Sequence, residues 1–243
     1  MKRTYFIKSS LLGSLGLAIL PQLSFSFTTD ISYEELIGKG QPELMGKGYQ
    51  LRKEAHDAFT KMVSEALQSD IKIQVVSSYR SFAHQNRIWE RKYRRYLNQG
   101  LSPAASISKI IAYSTIPGTS RHHWGTDLDL IDANAKQPSS VLQPQHFEEK
   151  GCYRKLKVWM DTHAEDFGFH LVYTNSASRK GFKYEPWHYS YKPLAQHYLK
   201  RYRTLDLKTI INEEELMGHA HFSEAFINKY LNENVLDINP ELL

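Results

Sequence analysis

Two short segments gather the side chains best able to hold a metal and move a proton: residues 120–130 (SRHHWGTDLDL) and residues 184–191 (YEPWHYSY). The first sets His122 seven positions before Asp129, and the second sets Glu185 three positions before His188. Two imidazoles and one carboxylate form a three-ligand set of the kind zinc accepts. The fourth position is then left to water, the arrangement of catalytic rather than structural zinc. Zinc held this way brings the pKa of its water toward about 7, and a nearby carboxylate can take the proton. With eleven histidines in the chain some pairs arise by chance, so the weight rests on context. His122 lies in a glycine-containing loop, Asp129 on the alternating segment that follows, and His188 among aromatics. A regular strand would send Glu185 and His188 to opposite faces. Pro186 interrupts the ladder between them and lets Glu185 enter from the mouth of the strand.

These residues need elements to position them. Residues 46–69 carry apolar side chains at helical spacing, and Ile71, Ile73 and Val75 then alternate with polar residues as a strand. Ser81 is a candidate cap for a helix reaching Asn98, with Phe82, Trp89, Tyr93 and Tyr96 along one side. Pro103 opens a second helix, expected over 103–114. Residues 126–131 alternate again, placing Asp127 and Asp129 on one face and Leu128 and Leu130 on the other. A helix is expected over 146–166, ended by Gly168, then a strand at 169–173, a hairpin loop at 174–183 and an aromatic strand at about 186–191. Helical patterning resumes from Pro193. The order fits an α+β domain: a small antiparallel sheet carrying the zinc site, flanked by helices, with a helical C-terminal extension. The expected divisions are 1–26, 27–204 and 205–243.

The motifs together resemble the M15 zinc peptidases of the VanY/VanX type, within the group sharing the lysostaphin and hedgehog core. The family's S-x-H-x-x-G-x-A-x-D is met by Ser120, His122, Gly125 and Asp129, and its E-x-W-H by Glu185, Trp187 and His188. An upstream Y-R-S…Q element is met by Tyr79, Arg80, Ser81 and Gln85. The resemblance implies that His122, Asp129 and His188 hold Zn2+ and that Glu185 is the general acid/base. It implies that Arg80 holds a substrate carbonyl or carboxylate, a role that suits a fork of fixed charge. Ser120, Gln85, Tyr79 and Trp187 are expected at the substrate. The implied activity is trimming of terminal D-amino acids from peptidoglycan stem peptides. An L,D-carboxypeptidase, a cross-link endopeptidase and a non-catalytic zinc domain binding wall peptides are the competing readings, the last opposed by the presence of Glu185. One position departs from the pattern: Asp127 stands where the family usually has alanine. It either supports a ligand or Ser120, alters the accepted stem, or pairs with a cation such as Arg121.

Composition narrows the setting. Lys2, Arg3 and Lys8 precede a ten-residue apolar run at 11–20, and small residues at 24 and 26 suit cleavage, so residues 1–26 read as a secretory signal. Export to the periplasm or cell wall is therefore expected. The later sequence offers no stretch apolar enough for a membrane helix. The net charge of +5 falls to +2 once the three cations of residues 1–26 are set aside, a weak basis for a nucleic-acid partner. Cys152 is the single cysteine, so the fold has no intramolecular disulfide to rely on. His123 is expected to point away from the metal, and His219 and His221 to be exposed. The basic run Arg87, Arg91, Lys92, Arg94 and Arg95 reads as a solvated helix face.

Overall fold

The structure, a computed structural model, describes residues 31–243; the expected leader at 1–26 lies outside the described residues. At its centre is an antiparallel sheet in the order β1-β2-β4-β3, formed by β1 (Ile73–Ser77), β2 (Asp127–Asp132), β3 (Phe169–Leu171) and β4 (His188–Tyr191). Register decides the chemistry of its polar face. Asp129 lies directly opposite His188, and Asp127 directly opposite Ser190. The alternate positions Leu128 and Leu130 turn to the other face, into a core shared with Phe59, Met62, Leu156, Phe169 and Tyr189. The division of Asp127 and Asp129 from Leu128 and Leu130 is thus as the alternation predicts. An irregularity between Val75 and Ser77, where β1 pairs with β2, bends the end of β1 beside the metal-capable residues.

After a short helix α1 (Tyr33–Leu36), helix α2 (Lys53–Gln68) begins seven residues later than its apolar spacing predicts. Gly46 and Gly48 adopt positive φ, and Met45 pairs with Leu51 in an isolated bridge, so the chain doubles back before the helix starts. Helix α3 (Phe82–Asn98) is as expected, with the Ser81 hydroxyl accepting from the His84 amide. Its buried side, Gln85, Trp89 and Tyr93, faces a second core. Helix α4 (Pro103–Ile110) stops short of the expected 114 and leaves Tyr113 exposed. The helix predicted over 146–166 is instead three pieces: a 3-10 turn at Pro144–His146, α5 (Arg154–His163) and a 3-10 turn at Ala164–Phe167. Gly168 closes the last with φ +78°, a left-handed position in keeping with its expected role as terminator.

Beyond α6 (Lys192–Tyr202), the segment 205–243 packs into the second core rather than lying apart. Leu207, Ile211, Phe222, Ile227, Tyr230 and Leu242 share one cluster with Trp89, Trp124 and Tyr198. Trp89 donates from Nε1 to the Met217 carbonyl at 2.9 Å. From α8 (Glu224–Tyr230), the Tyr230 hydroxyl reaches the loop that leads into the 120–130 segment. It accepts from the Ile116 amide at 3.0 Å and lies 2.6 Å from Thr119 Oγ1, which itself donates to the Ile116 carbonyl. The hairpin loop expected at 174–183 is tied down similarly. Arg179 donates to the carbonyls of Thr174, Phe182 and Asp237.

Tyr230→Phe strands the buried Ile116 N–H at no cost in shape. An unpaired buried donor costs about 1–3 kcal/mol, so thermal denaturation is expected to show a Tm lowered by roughly 3–10 °C. An unchanged Tm would mean that the 116–119 loop is held by its own backbone.

Candidate metal centre and cleft

The loop from Gly118 to Gly125 delivers its side chains through a 3-10 turn, Arg121–Trp124, closed by Gly125 at φ +70°. All four residues of the turn are buried. Trp124 anchors it, donating to the Leu36 carbonyl and packing edge-on against Tyr202 at 5.5 Å. His122 and His123 leave the turn in different directions. His123 donates from Nδ1 to the Arg80 carbonyl at 2.6 Å and accepts from the Gly118 amide at Nε2, so neither nitrogen is free. Burial pushes its pKa down to about 3 and keeps it neutral. It therefore points away from the metal-capable cluster.

His122 donates from Nδ1 to the Ser78 carbonyl at 2.8 Å, which fixes its tautomer and presents Nε2 inward, 3.4 Å from Asp129 Oδ2. His188 is oriented from the opposite side: its Nε2 donates to Asp127 Oδ2 at 3.0 Å, and Nδ1 faces Asp129 Oδ1 at 3.6 Å and Glu185 Oε2 at 3.1 Å. The two imidazoles stand 4.7 Å apart. Glu185 is not on the strand. It sits on a turn in which its amide donates to the Tyr173 carbonyl and the His188 amide donates to its own carbonyl, so the odd spacing is no obstacle.

One ligand atom from each of His122, Asp129 and His188 lies within 4.8 Å of the others. The donor set fits zinc on three grounds. His122 Nε2 and Asp129 Oδ1 are buried without any hydrogen-bond partner, which is costly unless something else binds them. Both imidazoles have their outer nitrogens tied to acceptors, as ligating histidines do. The charge is also unbalanced, for Asp127, Asp129 and Glu185 are all buried here against only two guanidinium groups, Arg80 and Arg121. Burial opposes charge on His188, but its bonds to Asp127 and Glu185 prevail and raise it to about 9. Burial would raise Asp129 too, yet the imidazoles and Arg80 hold it down at about 2. Glu185 is raised, with burial outweighing its bond to His188. The surplus of negative charge that draws a proton onto His188 is the same surplus that draws a divalent cation.

Asp127 meets two of its expected roles at once. Arg121 Nε donates to it at 2.9 Å and His188 donates to it at 3.0 Å, while Ser190 donates to its other oxygen. Ser120 is not among its partners. Arg80 sits over the cluster, 3.5 Å from Asp129. Gln85, placed by sequence at the substrate, is fully buried. Its carbonyl accepts from Arg80 Nη1 at 2.8 Å and its amide donates to the Thr115 carbonyl, so it positions the arginine instead. Arg80 Nε remains without a partner.

Two cavities meet at Arg80, Tyr113, Ser114 and Glu185, and they are unequal. One is a cleft of about 610 Å³ that also exposes Asp129 and is walled by Trp187. The other is a pocket of about 30 Å³ closed by Ser120, Tyr173 and Phe182, with His122 and His188 at its edge. Trp187 is almost wholly buried, its ring tilted against those of Phe147 and Tyr113. Tyr79 lines neither cavity. His219 and His221 lie in a 3-10 turn apart from these residues, with neither buried. Sequence reasoning missed the Ser78 carbonyl, whose role is carried by backbone and leaves no side-chain trace. It also missed Tyr113 and Tyr173 as cavity walls.

The profile of the family described as VanY, D-alanyl-D-alanine carboxypeptidase, matches residues 48–194, more than half of the chain. An uncharacterized protein of Haemophilus influenzae is 37% identical over 83 residues, 33% of this chain and 63% of its own length. A D-alanyl-D-alanine carboxypeptidase of Enterococcus faecalis is 30% identical over 118 residues, 48% of this chain and 39% of its own. The chain thus spans less than two thirds of either curated relative. Among solved structures, VanYB in complex with D-alanine-D-alanine superposes with a TM-score of 0.52 at 21% identity, covering 73% of this chain and 92% of that one. A D,D-pentapeptidase VanY variant in complex with Zn(II) gives 0.51 at 20% identity, covering 68% and 90%. At these identities the two structures establish a shared fold.

Asp127→Asn separates the two roles of this carboxylate. Removing an acceptor behind a ligating histidine weakens metal binding about 10–100-fold. Competition with a chelator is expected to show that loss in protein whose circular dichroism is unchanged. Undiminished affinity would leave Asp127 only the task of balancing Arg121.

Proposed function

The chain belongs to the VanY D-alanyl-D-alanine carboxypeptidase family, and on that footing we propose that it is a zinc-dependent carboxypeptidase removing a terminal D-amino acid from peptidoglycan stem peptides. The observation that carries this reading is the meeting of two unequal cavities at Glu185 and Arg80. A bond cleaved at that point faces a tight pocket on one side and space for an extended peptide on the other. That asymmetry suits an exopeptidase better than an enzyme cutting within a cross-link. Export to the compartment that holds peptidoglycan is part of the proposal, supported by the leader-like composition of residues 1–26. Among the described residues no helix is long and apolar enough to cross a membrane.

His122 Nε2, a carboxylate oxygen of Asp129 and His188 Nδ1 are the atoms that would hold the metal. Zinc bound there would supply Lewis acidity and make water more acidic. Glu185 is placed to accept a proton from the attacking water. Burial raises its affinity for protons, so it keeps the proton long enough to pass it to the amine nitrogen as the peptide bond breaks. Arg80 is held by Gln85 and Asp129 with Nε uncommitted, and it faces the oxygen on which charge grows in the transition state. The same fork is within the cavity that takes the released residue, so it also serves the terminal carboxylate.

Incubation of purified protein with stem peptides of three, four and five residues, followed by mass analysis, tests the reading. Loss of one D-alanine from the pentapeptide is expected; loss from the tetrapeptide alone would assign an L,D-carboxypeptidase, and cleavage of dimers an endopeptidase. Glu185→Gln is expected to retain the metal and lose about 10²–10⁴-fold in kcat. Amidation of the peptide's C-terminus is expected to abolish most of the rate, and Arg80→Ala to narrow the difference between the free and amidated peptides. Equal cleavage of both by the unmodified protein would overturn the carboxypeptidase reading.

A further inference from the structure

The basic run on α3 is exposed apart from the half-buried Lys92, and the fold sets part of it along the cleft. Arg94 pairs with Glu90 on the outer side. Lys92 and Arg95 continue the stripe that begins at His84 and Ile88, and with Arg91 they line the 610 Å³ cleft. Arg91 and Arg95 are exposed, as expected of a solvated helix face, and only the half-buried Lys92 departs from it.

Lys109, on α4, brings a further cation to the same wall. Its ammonium lies 4.7 Å from the centre of the Tyr96 ring, and the Arg95 guanidinium lies 4.9 Å from it. The Tyr96 ring thus gathers two cations at the cleft wall. Among the described residues the acids lining the cleft are Asp129, in the metal-capable group, and Glu185, bonded to His188, and neither forms an ion pair with these cations. Lys92 lies innermost of the run. Burial and the charge of Arg80 push its pKa down to about 8, and among the described residues no carboxylate forms an ion pair with it. Cations gathered along one cleft wall, with no carboxylate paired to them there, favour a ligand that brings its own negative charge.

We infer that Lys92, Arg95 and Lys109 form a carboxylate-binding subsite, and that the substrate is an acidic peptide. It carries at least one free carboxylate on the residues preceding the scissile bond, in addition to the one at its end. This rests on the carboxypeptidase reading of the metal centre, which sets the direction of the peptide in the cleft. Continuity of the cleft with Glu185 argues for the substrate itself as the occupant, rather than a separate anionic polymer.

The test uses two pentapeptides ending in D-Ala-D-Ala, alike except for glutamate or glutamine at one internal position. The full-length protein is expected to show kcat/KM roughly 10-fold or more higher on the glutamate peptide, chiefly through KM, with the ratio shrinking as salt is added. Lys92→Gln and Arg95→Gln are each expected to move the ratio toward one, while Arg94→Gln, outside the cleft, preserves it. Affinities of both peptides for Glu185→Gln protein, measured by calorimetry, report on the subsite without turnover. If neither peptide is cleaved but the glutamate peptide binds more tightly, the carboxypeptidase reading falls and the subsite stands. Equal affinities, or a ratio untouched by Lys92→Gln and Arg95→Gln, would overturn the subsite.

Discussion

Asp127, Asp129 and Glu185 are buried side by side, and burial by itself drives carboxylates to take up protons. For the site to keep them ionised, cations have to be held against them in a region where a free charge is expensive. Arg121 answers Asp127, Arg80 answers Asp129, and His188 lies between all three acids. Much of the surrounding structure is explained by what those cations need. Arg121 lies over the Trp124 ring at 4.7 Å, and Trp124 is fixed in turn by Leu36 and Tyr202. Arg80 is held at its side chain by Gln85 and at its carbonyl by His123. His123 fits there only because Gly38 has no side chain; a Cβ would stand 2.3 Å from the imidazole. The apolar cores act on the chemistry through these supports.

Charge changes sign along the cleft. The inner end is acidic and the outer wall is basic, with Arg80 at the boundary. An acidic peptide approaching from outside meets attraction along the wall and a fork at the point of cleavage. The carboxylates beyond that point face the metal-capable histidines rather than the open cleft. Such a division allows one protein to draw in an anionic substrate while keeping the negative donors that a zinc centre requires.

The site was legible in the sequence to the extent that side chains carry it. His122, Asp129, Glu185 and His188 announce a ligand set by type and spacing, and the alternation of 126–131 places both aspartates on one face before any pairing is known. The partner of Asp127 was not legible, because it depends on β2–β4 register and on which imidazole nitrogen faces inward. Gln85 shows the converse: its place in a motif suggests contact with substrate, whereas only the packing of α3 shows its amide turned to Arg80 and Thr115. Helix ends were misread where glycine or a 3-10 turn intervened, as at Gly46–Gly48 and Pro144–His146, since apolar spacing continues through both. For the basic run on α3, exposure was legible but the cleft it lines was not. Periodicity tells which residues share a face, and tertiary placement alone tells what that face looks upon.

The family match covers residues 48–194, yet several contacts that hold the site come from outside it. Leu36 fixes Trp124, and the Gly38 carbonyl accepts the first amide of α3 at 2.7 Å. From the other end of the chain, Tyr230 closes the 116–119 loop and Met217 receives the indole of Trp89. These contacts meet behind the same two features, the loop that delivers His122 and the helix that carries Lys92 and Arg95. The family segment supplies the ligands, and the flanking segments of this chain reduce the freedom of the backbone that presents them. A metal centre tolerates little movement in its ligands, and a subsite several residues from the scissile bond adds selectivity only if it keeps a fixed distance from that bond. Bracing from both ends of the chain meets both demands, since it joins the ligand loop and the basic helix to a single apolar core.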